Sequence, residues 1–215
     1  MIFHNRREAG KRLSQKLVKY REMPDTVVLG LARGGVPVAY EVAKTLRLPL
    51  NVIVPRKVGA PYNPELAIGA IVETGTGFFN KSLIQSLEVP DAYIEQEVAE
   101  QQALAKERVE KYRKNAPLKE ISGNTIILVD DGIATGATMF AAVSAVRELG
   151  AEKVVAAVPV GATDSLYQLE QFAEDVVCFH PSDQLMAIGY FYENFDQTTD
   201  EEVIALLEDD YLSNG

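Results

Sequence analysis

Short apolar runs alternate with amphipathic stretches along most of this chain. The apolar runs are rich in Val, Ile and Leu and lie at residues 26–31, 50–54, 125–130, 153–158 and 175–179. Apolar residues recur with helical spacing at residues 36–47, 137–149 and 164–173. Runs this short predict buried strands, and strands that alternate with helices predict a parallel sheet with helices on both faces. We therefore expect the α/β class.

The two ends and the middle of the chain depart from this alternation. Residues 5–20 predict an opening helix capped by Asn5. Residues 58–120 contain the Pro- and Gly-rich stretch VGAPYNPELAIGAIVETGTGFF, which is typical of a hairpin or a mobile segment, followed by a charged helix at 91–114. We expect a single domain, 1–215, with 58–120 as an insertion and 181–215 as a C-terminal hood and tail that ends in a helix, EEVIALLEDD.

Composition narrows the possible partners. The formal charge of −10 and the pI of about 4.8 disfavour broad attraction to nucleic acid or to an anionic membrane. A small anion would need a local positive site. Cys178 is the single cysteine, so no intramolecular disulfide can form, and the charged start of the chain does not resemble a signal peptide. We therefore expect a cytoplasmic protein.

The strongest chemical signal is the stretch IILVDDGIATGAT at residues 126–138. In an open parallel sheet, ligands bind outside the carboxyl ends of the strands, and Asp130 and Asp131 follow a strand directly. Two carboxylates could converge there on hydroxyl groups or on a water-bound cation. The loop that follows offers glycine, hydroxyls and a helix N-terminus, which suit a phosphate. An alternative is that Asp131 caps the helix and the threonines bond the loop backbone.

Two further segments follow strands. Ala32, Arg33, Gly34 and Gly35 come after the first strand, and the doublet of Arg56 and Lys57 comes after the second. Each has a plain alternative, since the first segment could be an ordinary glycine turn with a solvated arginine and the second a surface charge pair. The two histidines and one cysteine offer no zinc cluster, and the chain lacks a G-x-S-x-G nucleophile motif.

The strand, the acid pair and the TG loop together resemble the phosphoribosyl diphosphate signature of type I phosphoribosyltransferases. Three longer stretches, RREAGKRL, PRKVGAPYNPELAIGAIVETG and LMAIGYFYENFDQTTDEEVIALL, resemble a subgroup of predicted phosphoribosyltransferases whose acceptor is unsettled. The similarity covers nearly the whole chain. It implies a Rossmann-like parallel-sheet fold with a flexible-loop or helical insertion and a small C-terminal hood.

The resemblance also implies a role for each segment. Asp130 and Asp131 would hold the ribose hydroxyls of the donor. Mg²⁺ would be chelated by the donor itself and would have no direct protein ligand. Whether water molecules link the ion to Asp130 and Asp131 stays open. The 5-phosphate would be bound by Ala134, Thr135, Gly136, Ala137 and Thr138. The leaving pyrophosphate would be bound by residues 32–35, often through a cis peptide bond in this family, and by Arg56 and Lys57.

The sequence says less about the residues that would contact the acceptor base. We expect residues 181–195 to form the hood over the base, with Phe179 or Tyr190 stacking on it. Ala134 stands where many hypoxanthine and guanine enzymes have an aspartate, which argues against a 6-oxopurine acceptor. Lid candidates are Tyr112, Arg113 and Lys114, but the preferred interpretation of residues 91–114 is an amphipathic helix with a solvated face.

The expected activity is transfer of the 5-phosphoribosyl group from phosphoribosyl diphosphate to a small nitrogenous base, with Mg²⁺ as cofactor and pyrophosphate as product. Relatives commonly form dimers, so the resemblance implies a homodimer. The alternative is a non-catalytic regulator on the same fold that binds phosphoribosyl diphosphate or senses a nucleotide. The acceptor base itself stays open.

Overall fold

The computed structural model of the chain describes residues 3–113 and 121–214, with side chains up to residue 210. The helices are Arg6–Lys16 (α1), Gly35–Leu46 (α2), Lys81–Ser86 (α3), Asp91–Arg113 (α4), Ala137–Glu148 (α5), Thr163–Leu169 (α6) and Asp200–Asn214 (α7). The strands are Thr26–Leu31 (β1), Leu50–Ile53 (β2), Arg56–Ala60 (β3), Asn63–Ile71 (β4), Gly77–Phe79 (β5), Thr125–Val129 (β6), Lys153–Ala162 (β7) and Asp175–Ser182 (β8).

The main sheet has five strands in the order β2-β1-β6-β7-β8, and every pair in it is parallel. The central strands β1 and β6 are buried along their whole length, which explains their continuous apolar sequence. One face packs against α1, α2 and α7, and the other packs against α5 and α6. The parallel sheet covered on both faces is confirmed.

The opening helix is shorter than predicted. The Asn5 side chain accepts a hydrogen bond from the Glu8 amide at 2.9 Å, so the predicted cap is confirmed. The helix ends at Lys16, and Val18–Tyr20 continue as a separate 3-10 turn. The buried Leu13 and Leu17 anchor this region on the sheet.

The insertion is a small structure of its own. Strands β3, β4 and β5 form an antiparallel sheet, and α3 and α4 pack on it. A separate buried apolar cluster within it consists of Val58, Ala60, Ile68, Ile71 and Val89. The Phe78 ring of β5 stacks on the Phe140 ring of α5, with centroids 4.7 Å apart, and so joins the insertion to the main domain. Lys114, a predicted lid residue, lies outside the described residues.

The C-terminal tail divides into two parts. Residues 183–199 lie beside the start of the chain, where the Phe3 amide donates to the Phe191 carbonyl at 2.7 Å. Helix α7 packs instead against α2 and α4, with Val203 and Leu206 in the core. The terminal helix is therefore confirmed, but it lies apart from the segment expected to cover a base. Across the described ranges, we find no helix long and apolar enough to span a membrane.

Candidate functional site

Two loops that are distant in sequence meet at the carboxyl ends of β1 and β6. A Cβ atom placed on Gly34 would lie 2.2 Å from Asp131 Oδ2, and one on Gly35 would lie 2.6 Å from the Val129 carbonyl oxygen. Only glycine permits so close an approach. The RGG segment is therefore more than a solvent-exposed turn, because it forms a wall against the acid pair.

The Ala32–Arg33 peptide bond is cis, the conformation that the resemblance implies for a pyrophosphate loop. The Ala32 amide donates to the Ile53 carbonyl at 2.9 Å, which fixes the loop to the end of β2. The Arg33 guanidinium lies 3.5 Å from Asp200 Oδ1 at the start of α7. This arginine is thus positioned by an acid of the tail rather than left in solvent.

Asp130 and Asp131 are held as a closely coupled pair. The Asp130 carboxylate accepts a hydrogen bond from the Asp131 amide at 2.8 Å. Burial raises the pKa of Asp130 well above its ordinary value, and the neighbouring charge of Asp131 raises it further. Burial also raises the pKa of Asp131, although Arg6 acts in the opposite direction. The pair concentrates negative charge that its surroundings only partly neutralise.

Arg6 is the partner of this acid pair that the sequence did not reveal. Its Nε donates to Asp131 Oδ2 at 2.8 Å, and both side chains are only 12% exposed. Its Nη1 donates to the Asp196 carbonyl at 2.7 Å, and its guanidinium lies 3.9 Å from the Phe195 ring centroid. The Tyr192 hydroxyl donates to the Asp131 carbonyl at 2.6 Å. The hood is thereby tied directly to the acid pair.

The signal for Arg6 was present in the stretch RREAGKRL, which contributes to the resemblance. That stretch gives no role to Arg6, because only the fold brings α1 against the end of β6.

The phosphate loop has an open helix N-terminus. Helix α5 begins after Gly136, whose φ of 78° is left-handed, and no side chain caps it. Since the Asp131 carboxylate binds Arg6, the alternative that Asp131 caps the helix is wrong. The Ala134 carbonyl accepts from Ser165 Oγ at 2.6 Å, whereas Thr135 and Thr138 form no side-chain hydrogen bond within residues 3–113 and 121–214. Amides and hydroxyls therefore remain available to an anion.

Arg56 and Lys57 open β3, immediately beyond the end of β2. Arg56 Nε donates to Gln101 Oε1 of α4 at 2.9 Å. Burial lowers the pKa of Arg56, and the nearby charge of Arg108 lowers it further. Lys57 is exposed, yet its charge acts on Asp130 and lowers the pKa of that carboxyl. Lys57 thus acts on the acid pair, whereas Arg56 contacts the insertion helix.

Phe179 and Tyr190, the aromatic residues expected to stack on a base, lie in different surroundings. Phe179 packs edge-on against Phe3, with ring centroids 5.8 Å apart, while Tyr190 is 71% exposed. The side chain that approaches the loop after the acid pair is aliphatic, because a Cβ on Gly132 would lie 2.7 Å from Ile188 Cγ2. Stacking by Phe179 or Tyr190 stays a prediction.

The acid pair supplies only part of what a Mg²⁺ ion needs. No group of three or more His, Cys, Asp or Glu side chains that could hold a metal occurs in the part of the chain that the structure describes. Asp130 and Asp131 offer carboxylate oxygens, which Mg²⁺ prefers, but Asp131 is already bound to Arg6. The residues fit a cation held mainly by ligand oxygens, with the acid pair reached through water.

Comparison with known proteins agrees with this geometry. The model of the family described as phosphoribosyl transferase domain matches residues 2–193. The chain is 42% identical over 207 residues to the Mycobacterium tuberculosis protein named "Putative phosphoribosyl transferase Rv0571c", and the match covers 96% of this chain and 46% of that protein. The chain therefore spans about half the length of the curated relatives it matches.

Solved structures include a similar protein, TT1426 from Thermus thermophilus. It is 41% identical, superimposes with a TM-score of 0.82, and the match covers 97% of this chain and 99% of that chain. The AQ2163 protein from Aquifex aeolicus is 12% identical with a TM-score of 0.50, and the match covers 82% and 74% of the two chains. That second likeness concerns the fold alone.

Proposed function

This chain belongs to the phosphoribosyltransferase family and has the type I fold, and we propose that it transfers the 5-phosphoribosyl group of phosphoribosyl diphosphate to a nitrogenous base. The observation that carries the proposal is the approach of the Gly34–Gly35 loop to Asp130 and Asp131 at one sheet edge. A diol-binding acid pair beside a glycine wall suits a donor that carries both hydroxyls and a diphosphate.

The donor's ribose would lie over the acid pair. Asp130 and Asp131 accept hydrogen bonds from its two hydroxyls, while Arg6 fixes the orientation of the Asp131 carboxylate. The 5-phosphate enters the loop from Ala134 to Thr138, where the amides at the start of α5 and the two threonine hydroxyls donate to its oxygens. These contacts fix the position of C1, the carbon that reacts.

The leaving pyrophosphate would lie between the first two strands. The amides of Gly34 and Gly35 and the side chains of Arg33, Arg56 and Lys57 stabilise the negative charge that develops as the C1–O bond breaks. A base nitrogen then forms the new bond to C1, which carries oxocarbenium character. In this proposal the protein contributes position and electrostatics, and it forms no covalent intermediate.

Mg²⁺, when bound to the donor, would neutralise part of the charge on the diphosphate. In this proposal the carboxylates of Asp130 and Asp131 would reach the ion through water. The acceptor would approach from the hood, residues 181–195, and Ala134 disfavours a 6-oxopurine there. We also propose that the protein acts as a cytoplasmic homodimer.

The test is an assay of pyrophosphate release with phosphoribosyl diphosphate, Mg²⁺ and a panel of nucleobases and related nitrogen heterocycles. We expect release with at least one base. Asp130→Asn combined with Asp131→Asn should weaken donor binding about a thousandfold, because two charge-assisted contacts to hydroxyls are lost. The matched control is Asp175→Asn, which removes one carboxylate from the opposite edge of the sheet and should leave donor binding unchanged.

Two outcomes would contradict the proposal in different ways. Tight donor binding without release for any base would favour the regulator, which binds the donor and does not turn it over. Unchanged donor binding in the double variant would instead reject the assignment of the acid pair.

A further inference from the structure

One face of the insertion helix α4 lies against the proposed donor site. Residues 101, 105, 108 and 112 recur at helical spacing and share that face. Ala105 is fully buried and Tyr112 is 3% exposed, and these are the two buried residues of the helix. The other two residues of the face, Gln101 and Arg108, therefore point toward the main domain as well.

Two residues of this face hold arginines of the donor site. Gln101 accepts the hydrogen bond from Arg56 at 2.9 Å. The Tyr112 hydroxyl donates to Asp200 Oδ1 at 2.6 Å, and the same oxygen lies 3.5 Å from the Arg33 guanidinium. The helix thus reaches both arginines that were assigned to pyrophosphate, one from each end of the face.

Arg108 lies between Gln101 and Tyr112 along the helix, and no hydrogen bond or ion pair holds its guanidinium within the described ranges 3–113 and 121–214. Two other cations of α4 are paired, since Lys111 lies 3.4 Å from Glu107 and Arg113 bonds Glu73 at 2.6 Å. The Arg108 side chain is half-buried, so its position on this face is not that of a fully solvated charge.

The surrounding charges agree with this placement. The charge of Arg108 acts on Arg56, whose pKa is lowered by burial and then by this neighbour. It also acts on Asp200, whose pKa is lowered by the Tyr112 hydrogen bond and then by Arg108 and Arg33. Three guanidiniums therefore converge, and Asp200 and Glu97 are the acids that act on them. Like charges gathered in this way favour a polyanion.

We propose that Arg108 of the insertion helix is a third arginine that binds the pyrophosphate group of the donor, beside Arg33 and Arg56. The inference rests on the proposed function, because it assumes that pyrophosphate lies between the first two strands. Gln101 and Tyr112 are positioning residues in this arrangement, since they act through Arg56 and Asp200. The insertion would then form one wall of the site rather than a separate appendage.

The experiment compares Arg108→Gln with Lys106→Gln in the full chain. Lys106 is exposed on the opposite side of the same helix, so its substitution removes the same charge without reaching the site. Isothermal titration would measure binding of phosphoribosyl diphosphate, of inorganic pyrophosphate with Mg²⁺, and of ribose 5-phosphate. We expect Arg108→Gln to weaken the first two ligands about tenfold, since a charge-assisted contact is lost. Ribose 5-phosphate should bind as it does to the wild type, and Lys106→Gln should change none of the three.

Arg108→Lys provides a second variant that keeps the charge but not the planar fork. We expect it to fall between the wild type and Arg108→Gln for pyrophosphate. Equal losses for pyrophosphate and ribose 5-phosphate, or equal effects of Arg108→Gln and Lys106→Gln, would overturn the inference.

The two proposals fail differently. If the wild type binds pyrophosphate and the donor, and Arg108→Gln binds them equally well, the role of Arg108 is wrong while the proposed function stands. If the wild type binds neither ligand, the proposed function fails and the inference fails with it.

Discussion

The two edges of the five-stranded sheet treat their carboxylates in opposite ways. At the amino edge, burial raises the pKa of Asp175, but hydrogen bonds from Lys19 and Tyr20 outweigh it and lower the pKa overall. At the carboxyl edge, burial and mutual repulsion raise the pKa of Asp130. The protein's own side chains neutralise the carboxylate at the amino edge. The carboxylates at the carboxyl edge are only partly neutralised and could bind a ligand.

The position of a large cavity does not follow the position of the buried charge. An open cavity of about 560 Å³ lies at the amino edge, bordered by Glu22, Arg47 and Asn124. Its Arg47–Glu22 pair is exposed, with side chains 66% and 54% accessible. The carboxyl edge instead contains the buried pair of Arg6 and Asp131. Cavity volume and buried, incompletely neutralised charge therefore point to different edges of the sheet, and the second feature is the one typical of functional sites.

Breaking one arginine–carboxylate pair at each edge gives the largest expected contrast. Arg6→Gln should lower the free energy of unfolding by about 3 kcal/mol, because Asp131 would keep a buried charge without its partner. Arg47→Gln should change it by less than about 0.5 kcal/mol, since that pair is exposed. Urea denaturation at neutral pH measures both. Similar losses for the two variants would remove the distinction between the edges.

Glycine substitutions at the two edges should also differ in effect, by a smaller free energy of unfolding. Gly34 has a φ of −60°, so Gly34→Ala costs nothing in backbone conformation, but its methyl group would lie 2.2 Å from Asp131 Oδ2. We expect a loss of about 2 kcal/mol in stability from overpacking, together with weaker donor binding. Binding would be measured by titration with phosphoribosyl diphosphate.

The matched control is Gly123→Ala, just before β6 at the amino edge. Its φ of 74° is left-handed, and a Cβ there would meet no atom within 4 Å. That variant should lose about 1 kcal/mol through backbone strain alone and keep donor binding. Donor binding that survives Gly34→Ala would show that the glycine wall is not part of the site.

The smallest expected effect is a difference in pH dependence. The pKa of Asp130 is higher in the folded protein than in the unfolded chain. The contribution of Asp130 to stability is therefore present below its pKa in the unfolded chain, and it is lost as pH rises through its pKa in the folded protein. Asp130→Asn should therefore gain stability relative to the wild type as pH rises. The pKa of Asp175 is lower in the folded protein than in the unfolded chain. The contribution of Asp175 to stability is therefore present above its pKa in the unfolded chain, and it is lost as pH falls through its pKa in the folded protein.

Asp175→Asn should accordingly be less stable than the wild type by about 1 kcal/mol near neutral pH and approach it in acid. Urea titrations from acid to neutral pH would measure the two profiles. Parallel profiles for the two variants would contradict the opposite treatment of charge at the two edges.

Local sequence predicted most of the secondary structure because its signals are local. Continuous apolar runs mark strands buried on both faces, and Asn5 marks a helix start. The exceptions are informative. Strand β7 continues to Ala162, beyond the predicted end at 158, because it pairs with β8 as far as Ser182. The loosely patterned insertion is an ordered sheet because α5 and its own core support it.

The sequence by itself determined the parallel α/β architecture, the order of the elements outside the insertion and the residue types that follow β1, β2 and β6. Those features depend on neighbours along the chain, whose periodicity and turn chemistry can be read directly. Only the tertiary structure decided which charges meet. Arg6 reaches Asp131, and the α4 residues on either side of Arg108 contact Arg56 and Asp200, because α1 and α4 pack against elements far away in sequence. Such contacts arise from burial and close approach in three dimensions, and no local pattern records them.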